Sequence, residues 1–210
     1  MATHAVITGD IVNSTKLDGR AEKKLIATLQ KVLEPYKFEF YRGDSFQVYI
    51  READKALQTV LLCRTVAIAT KTKDEAASCD IRMSIGIGNV VSPLRSLASA
   101  KGEAFVLSGR AFDLLSQTDT RLAISIAEKG QKGISYGFEL VAAYIDSIYR
   151  GMSIKKAEVI FELLSGGSQQ DAVKNLKKSK STVSEIASSA KWSEIEWILT
   201  KYKKLINEIQ

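Results

Sequence analysis

The stretch from Lys37 to Ile50, KFEFYRGDSFQVYI, decides the fold of this 210-residue chain. Phe38 and Phe40, then Phe46, Val48 and Ile50, alternate with polar residues on either side of Arg42-Gly43-Asp44. That is the pattern of two strands joined by a tight hairpin, with Asp44 at its tip. Upstream, His4 to Asp10 reads HAVITGD. Its apolar, β-branched run from Ala5 to Ile7 is too short for a helix and predicts a buried central strand that delivers Asp10 to its end. Two carboxylates then meet at one edge of a sheet. Such a pair suits Mg²⁺ (or Mn²⁺), which takes one or two protein carboxylates and leaves its other positions to water and phosphates. The competing reading makes Asp10 a strand-end residue and Asp44 a turn residue.

Outward from this pair, Ile11 to Thr15 reads as a loop, and Leu25, Ile26, Leu29, Val32 and Leu33 fall on one face of a helix from about Gly19 to Glu34 that Pro35 ends. A second helix is expected over Ala53 to Thr70, and a strand over Asp80 to Gly88, DIRMSIGIG, where Ile81, Met83, Ile85 and Ile87 alternate. Asn89 to Glu103 is irregular, a short helix is expected around Ala111 to Leu115, and Arg121 to Ala127 reads as a last strand. This order predicts an α+β fold: a ferredoxin-like sandwich with helices on one face of a mostly antiparallel sheet. Gly130 to Gly137, GQKGISYG, marks a boundary or a hairpin. Everything beyond it reads as helices, so the expected divisions are an α/β domain over 1–135, a linking helix over 136–152 and an all-α domain over 153–210.

Composition narrows the setting. The chain is 45% hydrophobic and 26% charged with a net charge of +6, an ordinary balance for a globular protein. Eleven basic and seven acidic residues lie from Arg150 onward, so positive charge gathers toward the C-terminus. Cys63 and Cys79 have no metal-like spacing and read as free thiols. With no basic, apolar leader and no apolar run of roughly 20 residues, a cytoplasmic location without membrane association is expected. His4 is the single histidine and reads as incidental to chemistry.

The motifs TGDIVNST, YRGDSF and IRMSIGIGNV, in that order, resemble the metal-binding strand, the glycine-aspartate hairpin and the following strand of class III nucleotidyl cyclases and of diguanylate cyclase (GGDEF) domains, which share a palm-like fold. The set GDIVNS, GDSFQ, IGIG and LSGRAF is similar to SatD-like proteins, which add a C-terminal DNA-binding segment. The resemblance implies that Asp10 and Asp44, with the carbonyl of Ile11, hold the divalent metal. It also implies that Asn13, Ser14 and Thr15, with Arg42, Gly43 and Ser45 of the hairpin, receive a nucleoside triphosphate, since unpaired N–H groups near a helix start attract anions. The chain departs from the cyclase pattern at Phe40, where a base-reading lysine is usual, and at Asp113 and Gln117, where an asparagine and an arginine are usual. Ser45 replaces the acidic residue of the diguanylate cyclases. A missing arginine is costly for phosphoryl transfer, which rests on positioning and charge neutralisation; Arg42 and Arg110 are the candidates to replace it.

Ser168 to Ala187, SQQDAVKNLKKSKSTVSEIA, has helix-turn-helix spacing. Ser168 and Asp171 form a capping box, Ala172, Val173 and Leu176 face inward, and Ser179 or Ser181 starts a second helix carrying Val183 and Ile186. That second helix, the recognition helix, exposes Lys180, Ser181, Thr182, Ser184 and Ser188 toward DNA, with Lys177 and Lys178 in the turn. Five lysines from Lys174 to Lys191 face one acid, Glu185, which favours nucleic acid. Lys177 stands where bacterial regulators usually have glycine, and Lys178 where they have an apolar residue. The alternative is a helical bundle with a solvated lysine face. Trp192 and Trp197 are expected as core anchors of the last helix. Two functions follow: a DNA-binding regulator, dimeric because operators are read by symmetric dimers, or an active nucleotidyl cyclase or oligonucleotide synthase that uses Mg-NTP. A pure interaction module is the third.

Overall fold

In the computed structural model, residues 3–41, 43–72, 79–91, 94–127 and 132–209 are described, apart from the side chain of residue 132. Strand β1 (His4–Val12) lies at the centre of the sheet. Helix α1 (Gly19–Leu33) follows, opened by Asp18, whose Oδ1 accepts the N–H groups of Arg20 and Ala21 at 2.8 and 2.7 Å. Strands β2 (Lys37–Tyr41) and β3 (Ser45–Ile50) form the hairpin, and Gly43 takes a φ of 89° at its turn. After α2 (Ala56–Ile68) come β4 (Asp80–Gly88), α3 (Glu103–Leu115) and β5 (Leu122–Ile126). The remaining helices are α4 (Lys132–Arg150), α5 (Ile154–Leu164), α6 (Gln169–Leu176), α7 (Lys180–Ser189) and α8 (Trp192–Glu208). None of the described helices is long and apolar enough to cross a membrane.

The sheet runs β2-β3-β1-β4-β5, antiparallel except for the parallel β4–β5 pair. Side chains alternate between its faces. On one face Ala5, Ile7 and Ile11 join Phe46, Val48, Ile81, Met83 and Ile85 in the main core, under Leu25, Leu29 and Leu33 of α1 and Leu57 and Leu61 of α2. The other face carries Thr8, Asp10, Gln47, Arg82 and Ser84, and α3 crosses it: Ser108 Oγ donates to Thr8 Oγ1 at 2.8 Å and Ser84 Oγ donates to the Ser108 carbonyl at 2.8 Å. Helices therefore pack on both faces, not on one as the element order suggested. The β4–β5 pair is parallel, and the helix that connects it crosses the sheet on the side opposite α1 and α2.

Gly86 makes that crossing possible. A methyl group there would stand 2.2 Å from the Ala104 carbonyl oxygen and 2.4 Å from the Ser108 nitrogen, both backbone atoms. The expectation of a helix only around Ala111 to Leu115 falls short because α3 begins at Glu103, held against this glycine. Two other boundaries differ. β1 continues through Ile11 and Val12, which pair with Ile81 and Asp80 and so belong to the sheet instead of a loop. Of the expected boundary GQKGISYG, residues 130 and 131 lie outside the described residues, and Gly133 and Gly137 sit inside α4, where a side chain would meet open space.

A buried arginine joins the helical half to the sheet. Arg64 of α2 is 0% exposed; its Nε and Nη2 donate to Asp80 at 3.0 and 2.7 Å. Its Nη1 lies 3.0 Å from Asp146 Oδ1 of α4, a charge contact without hydrogen-bond alignment. Tyr149 lies under the guanidinium at 4.8 Å, and the Arg121 N–H also donates to Asp146. Burial pulls the Arg64 pKa down, and Asp80 and Asp146 outweigh it, leaving it above its ordinary value.

Gly86→Ala should destabilise the chain by about 1–3 kcal/mol in urea unfolding, the usual cost of forcing atoms into a packed contact. Arg64→Met should cost about 3–5 kcal/mol, since it leaves Asp80 and Asp146 without their shared cation; adding Asp80→Asn and Asp146→Asn should recover part of that loss.

Candidate functional site

Asp10 and Asp44 do come from neighbouring backbone. Asp10 pairs with Ser45 across β3 and with Arg82 across β4, and the Ile11 N–H donates to the Asp44 carbonyl at 3.0 Å. Their carboxylates, however, have different partners. Arg82 holds Asp10 in a two-point contact, Nε to Oδ1 at 3.1 Å and Nη2 to Oδ2 at 2.7 Å. Asp44 accepts from Ser14 Oγ at 3.3 Å and Ser45 Oγ at 3.4 Å. Phe112 of α3 lies 5.7 Å below the Arg82 guanidinium. The bonds to Asp10 raise the Arg82 pKa above its ordinary value, against the opposing effect of burial.

As arranged, this donor set does not fit a divalent cation. Both Asp10 oxygens are engaged by a permanent positive charge, and a metal beside it would meet repulsion at close range. Among the described residues no three acidic, histidine or cysteine side chains gather into a possible cation site. Arg82 was open to detection in the sequence: it is a charged residue at an alternating position of an apolar strand, but only the β1–β4 register shows that it faces Asp10.

Asn13, Ser14 and Thr15, where the phosphates were expected, lie at the turn that follows β1. Asn13 adopts a left-handed conformation and opens a three-residue 3₁₀ turn, Ser14–Lys16, in which the Lys16 N–H already donates to Asn13 and the Leu17 N–H to Ser14. Thr15 is exposed, and the start of α1 is occupied by the Asp18 carboxylate. Gly43 is exposed and Arg42 lies outside the described residues. Arg110, Asp113 and Gln117 are all exposed on or just beyond α3. Cys63 and Cys79 are buried free thiols, pushed up to about 12 by burial, and stay protonated at neutral pH.

The C-terminal helices are built by their caps. Ser168 and Asp171 form the capping box of α6, and Ser179 accepts the Thr182 N–H at the start of α7. Lys177 closes α6 at φ 51°, ψ 43°, so lysine takes the left-handed turn position itself. Ala172, Val183 and Ala187 are buried against α5, while Lys177, Lys180, Ser181, Thr182, Ser184 and Ser188 are exposed. Lys178 departs from that face: it is partly covered and its Nζ lies 3.6 Å from Glu158 of α5. Trp192 packs on the core, whereas Trp197, expected there too, is 61% exposed. Its helix buries Ile195, Ile198, Leu199, Tyr202 and Ile206, and position 197 falls on the opposite side.

No family profile matches the chain, and no curated protein is recognisably similar to it. Among the solved structures that match are nucleotide cyclases, each at a TM-score below 0.5. The GGEEF domain of a diguanylate cyclase from Vibrio cholerae superposes with a TM-score of 0.42 at 11% identity, over 60% of this chain and 84% of that one. The catalytic core of a rhodopsin-guanylyl cyclase, solved with ATPαS, gives 0.43 at 17% identity, over 63% and 81%. A bacterial light-regulated adenylyl cyclase gives 0.41 at 15% identity, over 59% and 75%.

Removing Arg82 should open the acid site. In a thermal-shift titration with Mn²⁺, Arg82→Ala is expected to gain stability with rising metal, at about 2–4 °C in Tm for each kcal/mol of binding, while the wild type does not respond. Asp10→Asn in the same background should abolish the gain.

Proposed function

We propose that the chain is a DNA-binding regulator of the SatD-like kind: α6 and α7 act as a helix-turn-helix, carried by an α/β unit of palm-like, ferredoxin-like strand order. The observation that carries this reading is the exposed face of α7. Its inward residues, Val183 and Ala187, are fully used in packing, and its outward residues are one lysine, short hydroxyls and a single acid, Glu185. Short polar side chains let a helix backbone approach a major groove closely, and lysines at its start neutralise phosphates. Lys177 and Lys180 are the phosphate contacts in this reading, Ser181, Thr182, Ser184 and Ser188 the groove-facing groups. Lys178 is left out, because Glu158 holds it.

The enzyme reading needs an Asp10 carboxylate available to metal, and the two-point Arg82 contact weighs against it. In the regulator reading the α/β unit is a scaffold whose former acid site is neutralised from within.

Electrophoretic mobility shifts with genomic fragments at several salt concentrations test the proposal. Binding should weaken steeply with salt, and Lys177→Ala with Lys180→Ala should flatten the log–log slope by about 2, one per lost phosphate contact. Absence of any retained fragment at low salt overturns it, and product formed from an NTP with Mg²⁺ by the wild type, but not by Asp10→Ala, replaces it with the enzyme reading.

A further inference from the structure

Besides Val91, Val106 and Leu114, four large apolar side chains are exposed among the described residues, and all four lie on α4 and α8. Tyr136, Leu140 and Tyr144 recur every four residues along α4, at 63%, 72% and 42% exposure, and Trp197 of α8 stands beside them. Between the two helices runs an open groove of about 570 Å³ lined by Leu140, Val141, Tyr144, Glu194, Trp197 and Ile198. A contiguous exposed apolar patch of this kind marks an interaction site. Two lysines sit over its aromatic rings, Lys191 over Tyr144 and Lys201 over Trp197, each at 5.5 Å.

We propose that this face binds a second copy of the same chain, α8 against α8 in antiparallel fashion. The charge pattern selects that occupant. Glu194, Trp197 and Lys201 lie on one stripe of α8, three and four residues apart, with the acid before the indole and the base after it. A two-fold axis passing between Trp197 and Ile198 sets Glu194 opposite Lys201 of the partner subunit, and Lys201 opposite Glu194 of the partner subunit. The same operation lays each indole over the other groove, filling it with Trp, the side chain most enriched at interface centres. A self-complementary pattern of this kind fits a copy of itself in one register. The exposed face of α7 takes no part, and the proposal stands apart from DNA binding: a monomer that binds DNA and a dimer that does not are both distinguishable results.

Sedimentation velocity on the full chain over a concentration series is the test. The wild type is expected to be a dimer, and Trp197→Glu should weaken it at least about thirtyfold, the effect of losing a hot-spot indole. Glu194→Lys alone and Lys201→Glu alone should each weaken it by up to about fivefold, and the two together should restore it. Far-UV circular dichroism checks that each variant folds; the charge variants, on the surface, decide the matter if Trp197→Glu does not fold. A monomeric wild type, a Trp197→Glu variant that remains fully dimeric, or a double charge variant no better than the singles overturns the proposal.

Discussion

The alternation along β1 is the constraint on which the architecture rests. Because β1 is bordered on both sides, each of its residues from Ala5 to Asp10 must satisfy a neighbour in β3 and one in β4 at the same time. Ala5, Ile7 and Ile11 give one apolar side to the main core, while Thr8 and Asp10 give the other side hydroxyl and carboxylate groups. A shift of one residue would exchange the two sets, so the register is strongly determined. Gly9, whose absent side chain leaves room for Met83 and Phe46, lets the apolar side close at the level of the acid.

That two-sidedness explains what the sequence made readable and what it hid. The hairpin, β4, β5 and α1 were legible from period alone, because apolar and polar or small residues alternate along each strand and apolar residues keep to one face of the helix. α3 was harder: apart from Leu115, the residues it buries are Ala104, Ser108 and Ala111, small and partly polar, and they carry little hydrophobic signal. Its evidence lay instead in the glycines of β4, which are legible only once a helix is known to cross them. α4 was legible as a helix, expected over 136–152, but the direction of its faces was not. Leu140 and Tyr144 look like core residues of a helix, yet they point outward, while Phe138, Ala142 and Ile145 do the packing.

At the acid site the residue types were legible and their partnership was not. Asp10 comes from β1 and Asp44 from the hairpin turn beside it, as their motifs imply, but partners are set by register and by what β4 offers. β4 offers arginine. A guanidinium supplies charge neutralisation in a fixed, planar form that cannot be washed out or exchanged. The sheet can therefore keep a carboxylate on its α3 side without depending on metal supply. In the helical half, caps were the dependable signal: the Ser168–Asp171 box and Ser179 mark two helix starts that the weakly apolar sequences of α6 and α7 would not have marked alone.

The Tyr202 hydroxyl donates to the Ala53 carbonyl at 3.1 Å, and its ring packs edge-on against Phe138 at 5.8 Å. A bond spanning 149 positions ties the 3₁₀ turn before α2, Ala53–Lys55, to the final helix. During synthesis the α/β half leaves the ribosome with that flank bare, and it stays uncovered until residue 202 has emerged. A nascent chain that has not reached position 202 accordingly leaves the Ala53 carbonyl and one edge of the Phe138 ring without their cover.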